Sequence, residues 1–242
     1  MNIMRPLKKT LAALLLSTTC CFSYSALADI VISGTRVIYP ETAKDVTVKM
    51  ENRGNKPLLV QTWLDDGRDE VNPQELKLPF IVTPPVSRVD AAKGQTVRIT
   101  WLGQPMPKDR ESLYWFNVLE IPPKAKGGDA QNLLQLAFRT RIKMFFRPKG
   151  LTGDASIAAG QLKWTQSNAS LIARNDSPYY VSLAKLEATV GGKKINIEPH
   201  YIAPFDSQTY QVKEAASARI SKVMYNTIND FGGSEPHEAQ IN

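Results

Sequence analysis

With two histidines, two cysteines and scattered carboxylates, this 242-residue chain has little with which to do covalent or acid–base chemistry. His200 and His237 lie far apart and lack metal-ligand spacing, so each reads as a surface or packing histidine. No glycine-rich phosphate loop and no nucleophile-elbow serine is present. Cys20 and Cys21 fall in a segment expected to be removed, which excludes cysteine nucleophiles and thiolate metal sites from the mature chain. No catalytic residue, metal site or cofactor is expected. The informative side chains are two cations. Arg36 lies in Gly34-Thr35-Arg36-Val37-Ile38-Tyr39-Pro40, flanked by strand-favouring residues, and Lys143 sits in the middle of a long alternating run. One reading makes each a solvated strand charge, as most such residues are. The other brings both strands to one groove, where the planar fork of arginine and the compact charge of lysine together hold an anion such as a carboxylate. Composition favours the first reading, and both stay open.

The elements that would carry these cations are strands. Lys44 to Glu51 alternates with Val46, Val48 and Met50 on one face, and Leu58 to Leu64 follows a turn-like Asn-Arg-Gly-Asn. Phe80-Ile81-Val82 runs into Pro84-Pro85, where the ladder must stop for want of a donor. Thr96 to Leu102 turns Val97, Ile99 and Trp101 inward, and the aromatic-rich run Leu113 to Ile121 stops at Pro122-Pro123. From Leu134 the even positions read Leu, Leu, Phe, Thr, Ile, Met, Phe, with glutamine, arginines and a lysine between them. That predicts one strand of roughly fourteen residues, against a usual five or six. A strand so long and apolar is either core throughout, or has a free edge at Leu134–Phe138 that needs a partner. The second half holds weaker candidates at Leu162–Trp164, Ser170–Arg174, Tyr179–Val190, Lys194–Ile197, Thr209–Val212 and Ile220–Tyr225, with Gly191-Gly192 as a hairpin turn. No convincing helical period occurs. The fold class is all-β, of the sandwich type, and the break near Lys149–Thr152 divides residues 29–149 from 150–242.

Residues 1–28 read as an export signal: Arg5, Lys8 and Lys9, the apolar run Leu11–Leu16, and small residues at Ala26 and Ala28, so cleavage is expected after Ala28. The apolar run is too short to span a bilayer, and no membrane insertion is expected. Lipid anchoring at the cysteines is disfavoured by Thr18 and Thr19, where that processing prefers small residues. Three of the 30 basic residues and none of the 23 acidic ones lie in this segment, leaving 27 against 23, a formal +4. The charges are interspersed, without the basic stripe and stacking platforms of a nucleic-acid binder.

Several segments closely resemble the PapD-like periplasmic chaperones of chaperone–usher pilus assembly. They are Gly34 to Pro40, Asp109-Arg110-Glu111-Ser112-Leu113-Tyr114-Trp115-Phe116-Asn117 with Ile121-Pro122-Pro123, Arg141 to Pro148, and Ile228-Asn229-Asp230-Phe231-Gly232-Gly233. They occur in the family's order and at its spacings. The resemblance implies a non-enzymatic protein of two immunoglobulin-like β-sandwich domains in a boomerang arrangement, located in the periplasm. It would bind pilus subunits by donor-strand complementation and pass them to an outer-membrane usher. On the same basis Leu134, Leu136 and Phe138 are donor-strand side chains, and Arg36 and Lys143 bind the subunit's C-terminal carboxylate. Glu111, Arg147 and Asp230 form interdomain ion pairs. By parity Lys143 faces away from Leu136 and Phe138, so a bulge or marked twist is expected between Phe138 and Ile142. Two rival readings are weaker. A secreted pilin or adhesin would usually carry a disulfide, and an exported sandwich hydrolase would need clustered histidines or carboxylates.

Overall fold

The computed structural model describes residues 29–68, 70–123 and 136–241. The first half forms strands β1 (Ile30–Ile32), β2 (Arg36–Pro40), β3 (Asp45–Asn52), β4 (Leu58–Asp65), β5 (Phe80–Thr83), β6 (Val86–Val89), β7 (Gly94–Trp101), β8 (Ser112–Ile121) and β9 (Phe138–Arg147). They make two facing sheets, β1-β3-β7-β5 and β2-β9-β8-β4-β6. Alternation along each strand sends one side chain in two to the interior, where Tyr39, Val60, Val97, Ile99, Phe116, Val118, Met144 and Phe146 are almost wholly buried. The Tyr39 hydroxyl donates to the Lys44 carbonyl and accepts from the Trp101 N–H, both at 3.0 Å, so this large ring is buried without stranding its polar end.

After a six-residue helix α1 (Ala155–Gly160), capped by the Asp154 carboxylate on the Ser156 N–H, come β10 (Lys163–Ser167), β11 (Ser170–Arg174), β12 (Val181–Val190), β13 (Lys193–Ile197), β14 (Tyr201–Ile202), β15 (Ser207–Gln211), β16 (Ile220–Ile228) and β17 (Ser234–Gln240). These pair as β10-β11-β15 and β13-β12-β16-β17, with β14 beside β12, around a separate core centred on Leu171, Leu186, Ile202, Ile220 and Tyr225. Gly191 and Gly192, both at positive φ, close β12 onto β13 in a two-residue turn. One core is built from residues 30–146 and the other from 159–241.

β9 departs from expectation in two ways. Its ladder with β8 runs without a register shift from Glu120↔Phe138 to Ser112↔Phe146, so there is no bulge between Phe138 and Ile142. Simple parity holds, and Lys143 emerges on the face opposite Phe138. The strand also begins at Phe138 rather than Leu134, and Leu136 and Ala137 carry no strand pairing. The reason lies in the neighbour. Continuing the register would set Leu136 against Pro122, which has no N–H to give. Leu134 lies outside the described residues.

Candidate functional site

Strand β2 lies parallel to β9 in the register Arg36↔Lys143 through Pro40↔Arg147. It therefore covers the outer edge of β9 only from Lys143 onward. From Phe138 to Ile142, β9 is paired with β8 on one side, and among the described residues no strand pairs with it on the other. Phe138 is 43% exposed and Leu136, just before the strand, 57%. Phe138 is thus half-covered by its own sandwich, while Leu136 is the freer of the two.

The open edge stops where the two cations stand directly opposite one another. Alternation places Lys143, Phe145 and Arg147 on the outer face of the sheet, against the second domain. Lys143 Nζ donates to Ser182 Oγ at 3.2 Å and lies over the rings of Tyr201 (4.9 Å) and Trp115 (5.6 Å). Arg36 Nη1 donates to the Ile228 carbonyl at 2.8 Å, and its buried Nε has no partner. Among the described residues neither cation is ion-paired. Burial, helped by the Arg36 charge, lowers the Lys143 ammonium to about 8, and burial also lowers Arg36. Beside them is a cavity of about 310 Å³ lined by residues that include Arg36, Phe145, Tyr180, Ser182 and Asp230. Two adjacent, partly desolvated cations with unused donors match the chemistry of an anion with two oxygens. The structure thus brings Arg36 and Lys143 side by side across one parallel strand pair.

Four residues further along β9, Arg147 joins the domains. Its Nε donates to Glu111 Oε1 at 2.7 Å, and its Nη1 and Nη2 donate to the two Asp230 oxygens at 2.7 and 3.0 Å. Glu111 Oε2 accepts the Tyr180 N–H at 2.8 Å, and the Glu111 N–H donates to the Pro178 carbonyl at 2.9 Å. Burial pushes Glu111 above the usual carboxylate range, with Arg147 opposing. The loop carrying Asp230 is tightly seated: a β-carbon at Gly232, whose φ is +86°, would lie 2.6 Å from Thr35 Oγ1 across the junction.

Sequence reasoning missed the support beneath the open edge. The buried Asp65 carboxylate accepts from Arg141 at both oxygens and from Asn117 Nδ2 at 2.8 Å. Burial works against its charge, but these hydrogen bonds outweigh it and hold the carboxyl below its usual range. Arg141 lies 4.3 Å over Trp115 and Arg139 5.2 Å over Trp63, tiling the outer face with cation–aromatic contacts. The visible signal was the run of odd-numbered cations. Its partners, one strand away on β8 and two away on β4, were not visible.

Family models match most of the chain. Residues 29–152 match the N-terminal domain of PapD, a pili and flagellar-assembly chaperone, and residues 157–239 match the C-terminal domain of the pili assembly chaperone PapD. The chain is 48% identical over 241 residues to the probable fimbrial chaperone YadV of Escherichia coli K12, covering 96% of this chain and 98% of the relative. It is 45% identical over 222 residues to the chaperone protein FimB/FhaD of Bordetella pertussis, covering 90% of each. The crystal structure of YadV superposes with a TM-score of 0.76 at 47% identity, over 88% of this chain and 100% of that one. The SafB chaperone of Salmonella enterica, solved in complex with the SafA pilin, gives 0.75 at 32% identity, over 90% and 98%.

Proposed function

Because the chain belongs to the PapD-like pilus-assembly chaperones and is a non-enzymatic chaperone that stabilises pilus subunits, we propose that it does so by lending the open edge of β9 to a subunit whose own sheet lacks a strand. The observation that carries this reading is the partial cover of β9. β2 leaves its edge uncovered from Phe138 to Ile142 and closes it at the paired cations Arg36 and Lys143. A subunit strand laid on that edge with its terminal carboxylate at the cations runs in the same direction as β9, in line with β2 and stopping where β2 starts. Backbone hydrogen bonds supply affinity that does not depend on sequence, and Leu136 and Phe138, with Leu134 before them, supply apolar side chains for the subunit's open core. The clamp fixes register, which matters because a slip of one residue would turn every donated side chain to the wrong face.

The clamp lies on the opposite sheet face from Phe138, and this is no obstacle. A chain end lying in the plane of the sheet can turn its carboxylate to either side. The Glu111–Arg147–Asp230 network is assigned to holding the two domains at a fixed angle around that clamp, a role of geometry more than of net stability. Residues 1–28 are assigned as the export signal, the periplasm as the working compartment and an outer-membrane usher as the acceptor of the loaded subunit. Domain limits of 29–149 and 150–242 complete the assignment.

The test is co-purification of a co-expressed pilus subunit with Arg36→Ala and Lys143→Ala, using circular dichroism to check folding. Both variants are expected to fold and to lose the subunit. Normal recovery with both variants would overturn the clamp.

A further inference from the structure

Glu120 is a charged residue at the far end of the first sandwich that the subunit-binding reading does not use. It lies on the inner face of β8, is only 3% exposed, and stands opposite Phe138 in the ladder. Its Oε2 accepts from the backbone nitrogen of Asp29 at 3.1 Å, and its Oε1 is buried without a hydrogen-bond partner. Burial raises Glu120, with the backbone N–H groups of Ile30 and Asp29 opposing and the Asp29 carboxylate adding to the rise. A buried carboxylate with one orphaned oxygen and, among the described residues, no cation is a costly arrangement. Meanwhile Asp29 is firmly seated. Its carbonyl accepts the Arg53 N–H at 2.8 Å, and a β-carbon at Gly54 would come within 2.5 Å of its side chain.

The bond that precedes Asp29 is the one at which the leader is read to end. Before cleavage the Asp29 nitrogen is an amide with a single hydrogen and no charge. Hydrolysis of the Ala28–Asp29 peptide consumes one water, leaves the new carboxylate on the leader and leaves the amine on Asp29. An α-amino group, with a pKa near 7.7–8.0, is then protonated at neutral pH and has three donors in place of one. We propose that the α-ammonium of Asp29 is the ion-pair partner of Glu120, and that removal of the leader thereby locks β1 to β8 beneath the start of the donor segment. This rests on reading residues 1–28 as a cleaved leader. It makes the first residue of the processed chain a structural group, and the precursor and the mature protein differ by a buried charge pair.

The test is a four-cornered comparison of thermal unfolding. Chains released from a fusion so as to begin at Asp29, or at Ala28 (which turns the Asp29 nitrogen back into an amide), are prepared with Glu120 and with Glu120→Gln. With Glu120, the extra alanine is expected to lower the midpoint by about 2–4 °C or more. In the Glu120→Gln background, which lacks the carboxylate charge, the two lengths should unfold together. An equal loss in both backgrounds, or none in either, overturns the pair. Should Glu120→Gln fail to fold, acetylation of the Asp29 amine in the otherwise unaltered chain supplies the comparison, and an unchanged midpoint is then the overturning result. The mass of the chain recovered from the periplasm reports the cleavage site separately. A cut elsewhere overturns the processing step, while the unfolding comparison still decides the ion pair.

Discussion

Replacing Leu136 and Phe138 by alanine should weaken capture of a subunit's terminal strand by about a hundredfold. A phenylalanine presents roughly 200 Å², so the 43% of Phe138 still exposed is about 90 Å², worth about 2 kcal/mol at ~25 cal/mol/Å². The 57% of Leu136 that is exposed adds about 1.5 kcal/mol, taking roughly 2.5 kcal/mol for a fully buried leucine. Together they make about 3.5 kcal/mol. Alanine keeps part of this through its methyl group, and each 1.4 kcal/mol is tenfold in Kd, which gives the hundredfold figure. The two residues should also separate from each other. Phe138 is more than half covered by its own sandwich, so Phe138→Ala should cost the free chain about 2 kcal/mol. Leu136 lies outside the ladder, and its replacement should leave the unfolding midpoint nearly unchanged. The assay is titration with a labelled peptide of a subunit's last strand bearing a free carboxylate, paired with thermal unfolding by circular dichroism. Unchanged peptide affinity in Leu136→Ala would refute the reasoning. So would a midpoint loss as large as that of Phe138→Ala, because Leu136 would then belong to the chain's own core.

Two further predictions concern charge. Lys143 must be protonated to hold a carboxylate, and its pKa in the free chain is lowered from 10.5 to about 8. Its contribution to capture is full below that value and is lost as pH rises through it, so peptide affinity should fall about tenfold between pH 7 and pH 9; Lys143→Arg should abolish that slope, and an equal affinity at both pH values in the unaltered protein would contradict it. Since the folded chain binds this proton less tightly than the unfolded one, Lys143 also makes the free chain gain stability as pH rises from about 8 towards 10.5, and Lys143→Met should raise the midpoint at neutral pH. Arg147→Met strands the buried Glu111 beside Asp230 and should destabilise by about 2–4 kcal/mol, whereas Asp230→Asn, at a more exposed partner, should cost about 1 kcal/mol. Denaturant unfolding of both variants, with Glu111→Gln/Arg147→Met as the double mutant, checks whether the pair behaves as one unit; additive losses would count against it.

Side-chain alternation made most strands legible before any coordinates, because a half-buried strand must alternate. It failed where alternation carries no hydrophobic signal. β17, Ser-Glu-Pro-His-Glu-Ala-Gln, has no large aliphatic side chain and sits at a sheet edge. The helix α1 is six residues long, too short for a period to declare itself. β9 falls short of its expected length for the opposite reason. Its apolar pattern continues through Leu134 and Leu136, but a ladder also draws on backbone donors, and Pro122 has no N–H to give. At the site, the types of Arg36 and Lys143 were readable, and the resemblance supplied the role proposed for them. Their opposition across a parallel pair 107 positions apart is a property of the fold. The supporting groups Ser182, Tyr201 and Asp65 left no trace in the local pattern, because each meets β9 only through folding.

If a subunit docks on the β9 edge as proposed, strand β2 turns that edge into a cul-de-sac. A visiting polypeptide can advance along it only until Arg36 and Lys143, beyond which the lane is already occupied. Surplus residues, whether an epitope tag or the product of stop-codon read-through, have nowhere to go, and a prematurely truncated chain falls short of the charges. On the proposed reading, the arrangement measures whether a docked polypeptide has been made to its full and proper length.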